Sequence, residues 1–179
     1  TSNGGGDKMR RIITATVQNR SGVLNRITGM LTKRQFNIES ITVGGSEKDG
    51  ISKMTFVIDV ADPLKFEQLT KQLNKQIDVI KVTDITEKAH VVRELALIRV
   101  AGSRQQHAEI QSVIAPFRAS IIDVSKDSLI IQVTGKPDKI DALIELLKSY
   151  GIKELTRTGI TAFLRGNQPQ VTEMNSLSI

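Results

Sequence analysis

Asn19-Arg20-Ser21-Gly22-Val23-Leu24 is the stretch of this chain whose residue types and spacing could do chemistry, and that chemistry is capture of a small carboxylate. A strand-like run ends near Gln18, and an amphipathic helical pattern opens at Gly22 with Ser21 as its N-cap. The N–H groups of Gly22, Val23 and Leu24 then lack helical acceptors and point into the turn. Gly22, without a Cβ, lets a ligand approach closely, and the Asn19 amide can donate or accept. Each charge-assisted bond to a carboxylate contributes roughly 1.5–3 kcal/mol and the helix dipole roughly 0.3–1, enough together to hold a free amino acid. Val23, Leu24 and Ile38 supply apolar walls for an aliphatic side chain. The same residues read equally as a capped turn, with Gly22 tightening the corner, and the residues alone leave both readings open.

No catalytic constellation accompanies this corner. His90 and His107 stand seventeen residues apart with no acidic ligand pattern, which predicts exposed loop and helix positions and neither a metal nor a base role. Asp123, Asp127 and Asp138 read as turn and cap residues. Gly45 and Gly50 have phosphate-loop spacing, but Ile51-Ser52 follows where Lys-Ser/Thr is required, so this is a hairpin. The chain therefore reads as a sensor of a metabolite and not as its converter, with no catalytic residue and no metal ligand assigned.

Composition narrows the class further. With 39% hydrophobic and 25% charged residues, the chain is too apolar for a disordered one. Aromatic residues are only 3%, so Ile, Val and Leu must build the interior, which favours strands. The absence of Cys excludes disulfides and thiolate metal sites and fits a reducing, cytoplasmic location. No run of 18 apolar residues is present to span a bilayer. The formal charge is +6, but residues 1–86 carry 13 cations against 9 carboxylates and residues 87–179 carry 12 against 10. An excess spread this evenly is solvated surface and not a nucleic-acid footprint.

The elements that must position the corner follow from periodicity. Strand-like runs at Ile12–Val17, Ile38–Val43, Ser52–Val60 and Val79–Ile85 alternate with two helical patterns, in the order βαββαβ. The first helix stripes Val23, Leu24, Ile27 and Leu31; the second follows Asp62-Pro63 and turns Phe66, Leu69 and Leu73 inward. Gly29 inside the first helix costs on the order of 1 kcal/mol relative to Ala, which either a close helix crossing offsets or the fold simply tolerates. After a polar passage over Thr86–Arg93 the order repeats: strand Leu95–Val100, helix Gln106–Phe117, strands Ser120–Val124 and Ser128–Val133, and a helix from Pro137. Strand Ile152–Leu155, or its continuation to Phe163, closes the unit. The fold class is α+β, two ferredoxin-like βαββαβ domains with antiparallel sheets and helices on one face.

RNA-binding modules share this element order and are the rival reading. Base stacking, however, needs aromatic residues on the first and third strands, where only Phe56 is present.

The run from Met9 to Ile13, then Asn19-Arg-Ser-Gly-Val-Leu-Asn-Arg26 and Phe36-Asn-Ile-Glu-Ser-Ile-Thr-Val43, closely resembles the small regulatory subunits of acetolactate synthase, which are ACT-domain proteins. Lys71 to Val79, Arg93 to Ile98, Pro116 to Val124 and Arg157-Thr-Gly159 extend the resemblance over nearly all of residues 9–166. The polar, glycine-rich opening over 1–8 reads as a flexible extension and the polar stretch over 165–179, which has no amphipathic period, as a tail; between them the resemblance implies an ACT domain over 9–86 and a second ferredoxin-like domain over 87–164. It also implies a non-catalytic partner that activates a large catalytic subunit and confers feedback inhibition by valine, or in some relatives leucine or isoleucine. No cofactor is implied on this chain; thiamine diphosphate, Mg and FAD are implied on the catalytic partner. The expected effector-binding residues are Asn19, Ser21, Gly22, Val23, Leu24, Asn37 and Ile38; of these the resemblance implies that Asn19, Gly22 and Leu24 come from one chain of a homodimer and Asn37 and Ile38 from the other.

Overall fold

The computed structural model describes residues 9–166. The expected extension over 1–8 lies outside the described residues, as does the expected tail apart from Arg165 and Gly166.

The chain folds as two antiparallel sheets in tandem, each carrying two helices on one face. The first contains β1 (Met9–Gln18), α1 (Val23–Lys33), β2 (Asn37–Gly45), β3 (Ile51–Val60), α2 (Pro63–Asn74) and β4 (Val79–Asp84), with strand order β2-β3-β1-β4. Strand alternation explains its core: Ile13, Ala15 and Val17 of β1 and Met54, Phe56 and Ile58 of β3 point toward the helices. Val23, Ile27 and Leu31 of α1 and Leu69 and Leu73 of α2 meet them at three- and four-residue spacing. Asp62 caps α2 by accepting from the Leu64 N–H at 3.0 Å, with Pro63 in the first turn where its missing donor costs nothing.

The second sheet repeats the order with β5 (His90–Ala101), α3 (His107–Ile114), β6 (Ser120–Val124), β7 (Ser128–Gly135), α4 (Pro137–Leu147) and β8 (Ile152–Arg157), arranged β6-β7-β5-β8. Its core lies between Ala96, Ile98 and Val100 of β5 and the inner faces of α3 and α4.

Three local expectations are corrected. The helix expected over 106–117 is α-helical only from His107 to Ile114, with 3-10 turns at both ends. Pro116 has no N–H to donate, and Arg118 adopts the left-handed conformation (φ 53°) that stops the helix. The polar passage ending at Arg93 is partly strand: β5 begins at His90, and its first four residues pair with β9 (Thr161–Leu164). The continuation from Leu155 to Phe163 is broken, because Gly159 (φ +80°) turns the chain between β8 and β9.

That turn sends β9 back onto the first sheet, where it packs on β3. Val57, Ile85 and Ile160 are almost fully buried yet belong to neither helix-side core. Gly159 itself lies so close to β2 that a Cβ there would stand 3.0 Å from the Ser40 Cβ. Thr42 Oγ1 donates to the Thr158 carbonyl at 3.3 Å beside it.

Candidate functional site

The corner between β1 and α1 is built by backbone bonds from two directions. The Gln18 N–H donates to the Asp78 carbonyl at 2.8 Å and the Asn19 N–H to the Gly50 carbonyl at 2.7 Å, which fixes where β1 ends. Arg20 N–H turns back to the Gln18 carbonyl at 2.9 Å. Gly22, and not Ser21, is then the N-cap: it adopts φ 85°, a conformation that strains any residue with a Cβ, and α1 begins at Val23. Ser21 makes no capping bond and is exposed, so the expected side-chain cap is absent.

Of the amides expected to be free, that of Val23 donates to the Arg20 carbonyl at 3.3 Å. The N–H groups of Gly22, Leu24 and Asn25 have no acceptor among the described residues. The space over Gly22 is open, since a Cβ placed there would find its nearest neighbour, Arg26 Nη1, at 3.9 Å. Val23 is buried in the core, so it offers no wall to a ligand; the exposed Leu24 is the apolar group left at the corner.

Asp78 organises the corner, a role no local sequence signal marked. Its carboxylate, mostly buried, accepts from Arg26 and lies 3.6 Å from the Arg20 guanidinium. Both arginines are thereby held beside the open amides and add positive potential there. Asp78 sits 52 residues from Arg26, which is why neither spacing nor periodicity reveals the pair.

Asn37 and Ile38 stand at the opposite end of the sheet. Asn37 opens β2 and pairs in register with Asp59, which pairs in turn with Arg10 near the start of β1. Asn19 lies nine residues further along, about 30 Å away at roughly 3.3 Å per residue. The Asn37 amide donates to Asp59 Oδ2 at 2.9 Å, and Ile38 is half-buried against the core. One protomer therefore does not bring the two halves of the expected site together. Among the described residues, however, β2 is an edge strand paired only with β3, and α1 lies beside it.

The two histidines are half-buried, not exposed as expected: His90 Nδ1 lies 2.7 Å from the Lys88 carbonyl, and His107 Nε2 has no partner among the described residues. Among the described residues no three His, Cys, Asp or Glu side chains gather as metal ligands, and no helix is long and apolar enough to cross a membrane. Phe56, the aromatic residue that an RNA-binding reading required on the open face, is buried in the helix-side core.

Tandem βαββαβ sheets, the first with a glycine-led corner at the head of its first helix, define an ACT-domain protein. Residues 13–81 match the family model described as the AHAS small subunit-like ACT domain, and residues 93–166 match that described as the small subunit of acetolactate synthase. The chain belongs to the acetolactate synthase small-subunit family. It is 61% identical to the acetolactate synthase small subunit of Bacillus subtilis, over 96% of this chain and 99% of that one. It is 51% identical to the probable acetolactate synthase small subunit of Archaeoglobus fulgidus, over 89% and 99%. The crystal structure of the acetolactate synthase small subunit from Thermotoga maritima superposes with a TM-score of 0.80 at 37% identity, covering 89% of this chain and 99% of that chain.

Proposed function

We propose that this chain is a non-catalytic regulatory subunit that activates a thiamine-diphosphate-dependent acetolactate synthase and makes it sensitive to valine. Two copies pair through the β2 edges, and the effector lies at the seam between their ACT domains. The observation that supports this reading is the placement of Asn19 and Asn37 at opposite ends of one sheet whose β2 edge is unpaired. An antiparallel twofold pairing of β2 with its copy carries the partner's Asn37 to the end where Gly22, Leu24 and Asn25 hold open amides. The valine carboxylate accepts from those amides, and Leu24 with the second copy's Ile38 meets its side chain.

Valine then acts by favouring one geometry of the pair over another, removing the contact that activates the catalytic subunit. Coupling of roughly 1–3 kcal/mol is sufficient for graded inhibition. The test adds the purified chain to its catalytic subunit and assays pyruvate condensation with and without each branched-chain amino acid. In Gly22→Asp the new carboxylate repels that of the ligand, so valine sensitivity is lost while activation remains. Inhibition that persists unchanged in this variant removes the corner from the mechanism.

A further inference from the structure

The helix-free face of the first sheet carries chemistry that the Gly22 corner does not use. Following the registers across the strands, Thr42, Thr55, Thr14 and Thr83 of β2, β3, β1 and β4 form one transverse row. The next polar row is Gly44, Lys53, Thr16 and Lys81. These positions alternate with the core residues Ala15, Val17, Met54 and Phe56, so hydroxyls and ammonium groups share the face opposite the helices. The returning β9 stands over this face and, with the β2–β3 hairpin, borders an open cleft of about 590 Å³ floored by the two rows. That volume falls in the range of small-molecule sites.

Most of the polar groups on the floor are unused. Lys53 Nζ donates to Thr16 Oγ1 at 3.0 Å and Thr42 donates to the Thr158 carbonyl. The hydroxyls of Thr14, Thr55 and Thr83 and the ammonium of Lys81 have no partner among the described residues. Thr55 is only 5% exposed, so its unpaired hydroxyl faces the cleft and little else. Among the described residues the floor holds no carboxylate; Glu47 lies out on the hairpin rim. Lys53 and Lys81 rise from strands two spacings apart, about 10 Å, with Thr16 midway between them. At the mouth the Phe163 ring is 73% exposed.

We propose that this cleft binds a phosphorylated small molecule. The phosphoryl oxygens lie over Thr16 between the Lys53 and Lys81 ammonium groups, accept from the threonine hydroxyls, and leave the organic body against the Phe163 ring. A dianion matches two ammonium groups, and its three terminal oxygens match the surplus of donors. The site is on the opposite face of the sheet from α1, so it stands or falls independently of the valine reading.

The test titrates the full chain with phenyl phosphate at low ionic strength and follows backbone amide shifts by NMR. Saturable shifts are expected along β1, β3 and β4 around Thr14, Thr16, Lys53, Thr55 and Lys81. Lys53→Met and Lys81→Met each weaken binding about tenfold or more, since each removes a charge-assisted bond. Thr55→Val, which keeps the side-chain shape, weakens it as well. Lys71→Met, whose ammonium is paired with Glu67 on α2, leaves affinity unchanged. Benzoate binding as tightly as phenyl phosphate overturns the phosphoryl assignment, and inorganic phosphate binding as tightly overturns the role of Phe163. Absence of saturable shifts, or shifts confined to Asn19–Leu24, overturns the site.

Discussion

Arg157 shows how much a single side chain can carry in this molecule. It bonds Glu94 and Asp141, through Nε at 2.5 Å and Nη1 at 2.5 Å respectively, and Glu94 is only 7% exposed. Partial burial works against the Arg157 charge, but the hydrogen bonds and charges of Asp141 and Glu94 outweigh it and raise its pKa above the ordinary guanidinium value. Arg157→Met leaves Glu94 buried and unpaired, with an expected loss of about 3 kcal/mol in urea unfolding. Tyr150 belongs to the same scale: its hydroxyl donates to Glu109 Oε1 at 2.7 Å. That hydrogen bond, with burial and the Glu109 charge, raises the phenol above its ordinary value of about 10. The contribution is therefore complete below that pH and is lost as pH rises through the folded-state value. Unfolding curves taken into alkali should show an added fall in wild type that Tyr150→Phe lacks. At the corner, residue types make Asn19, Gly22 and Leu24 legible as carboxylate-binding candidates. The four-residue spacing of Val23, Ile27 and Leu31 already points Val23 at the core, so it cannot also wall a ligand, whereas Leu24, about 100° further round the helix, stays exposed.

Among the elements, α1 is the one whose details sequence patterning blurs. Its apolar stripe is legible, but its first residue is not, since Ser21 and Gly22 both suit a cap and only the φ of Gly22 decides between them. Gly29 on the same helix is exposed, with nothing within 4 Å of where a Cβ would stand. No crossing among the described residues uses the missing side chain, so Gly29→Ala should raise stability by about 1 kcal/mol in thermal or urea unfolding. An unchanged or lower stability would show that the glycine is required by a contact outside this chain. β5 extends beyond its sequence-based bounds for a related reason. Val91 and Val92 favour a strand, but they sit between His90 and Arg93 in a polar passage, and their pairing partner β9 lies about 70 residues on.

The whole molecule decides what neither residue nor element can. Asn19 and Asn37 are separated by the length of the sheet, so a site that uses both needs two copies. The valine reading therefore predicts complementation. Asn19→Ala and Asn37→Ala each weaken valine binding by calorimetry, but a co-refolded mixture contains heterodimers with one intact site and recovers wild-type affinity in part. A mixture that binds no better than either parent argues against a shared seam. The sequence by itself determined the element order, the two helix-side cores and the glycine-led corner, because periodicity and local backbone preference act over a few residues. Only the tertiary structure decided where Asp78 reaches, that β9 returns across the first sheet, and that threonines and lysines from four strands form two rows beneath it. Those arrangements depend on register between distant strands, and the pairing of a strand with one far along the chain leaves no periodic trace in either.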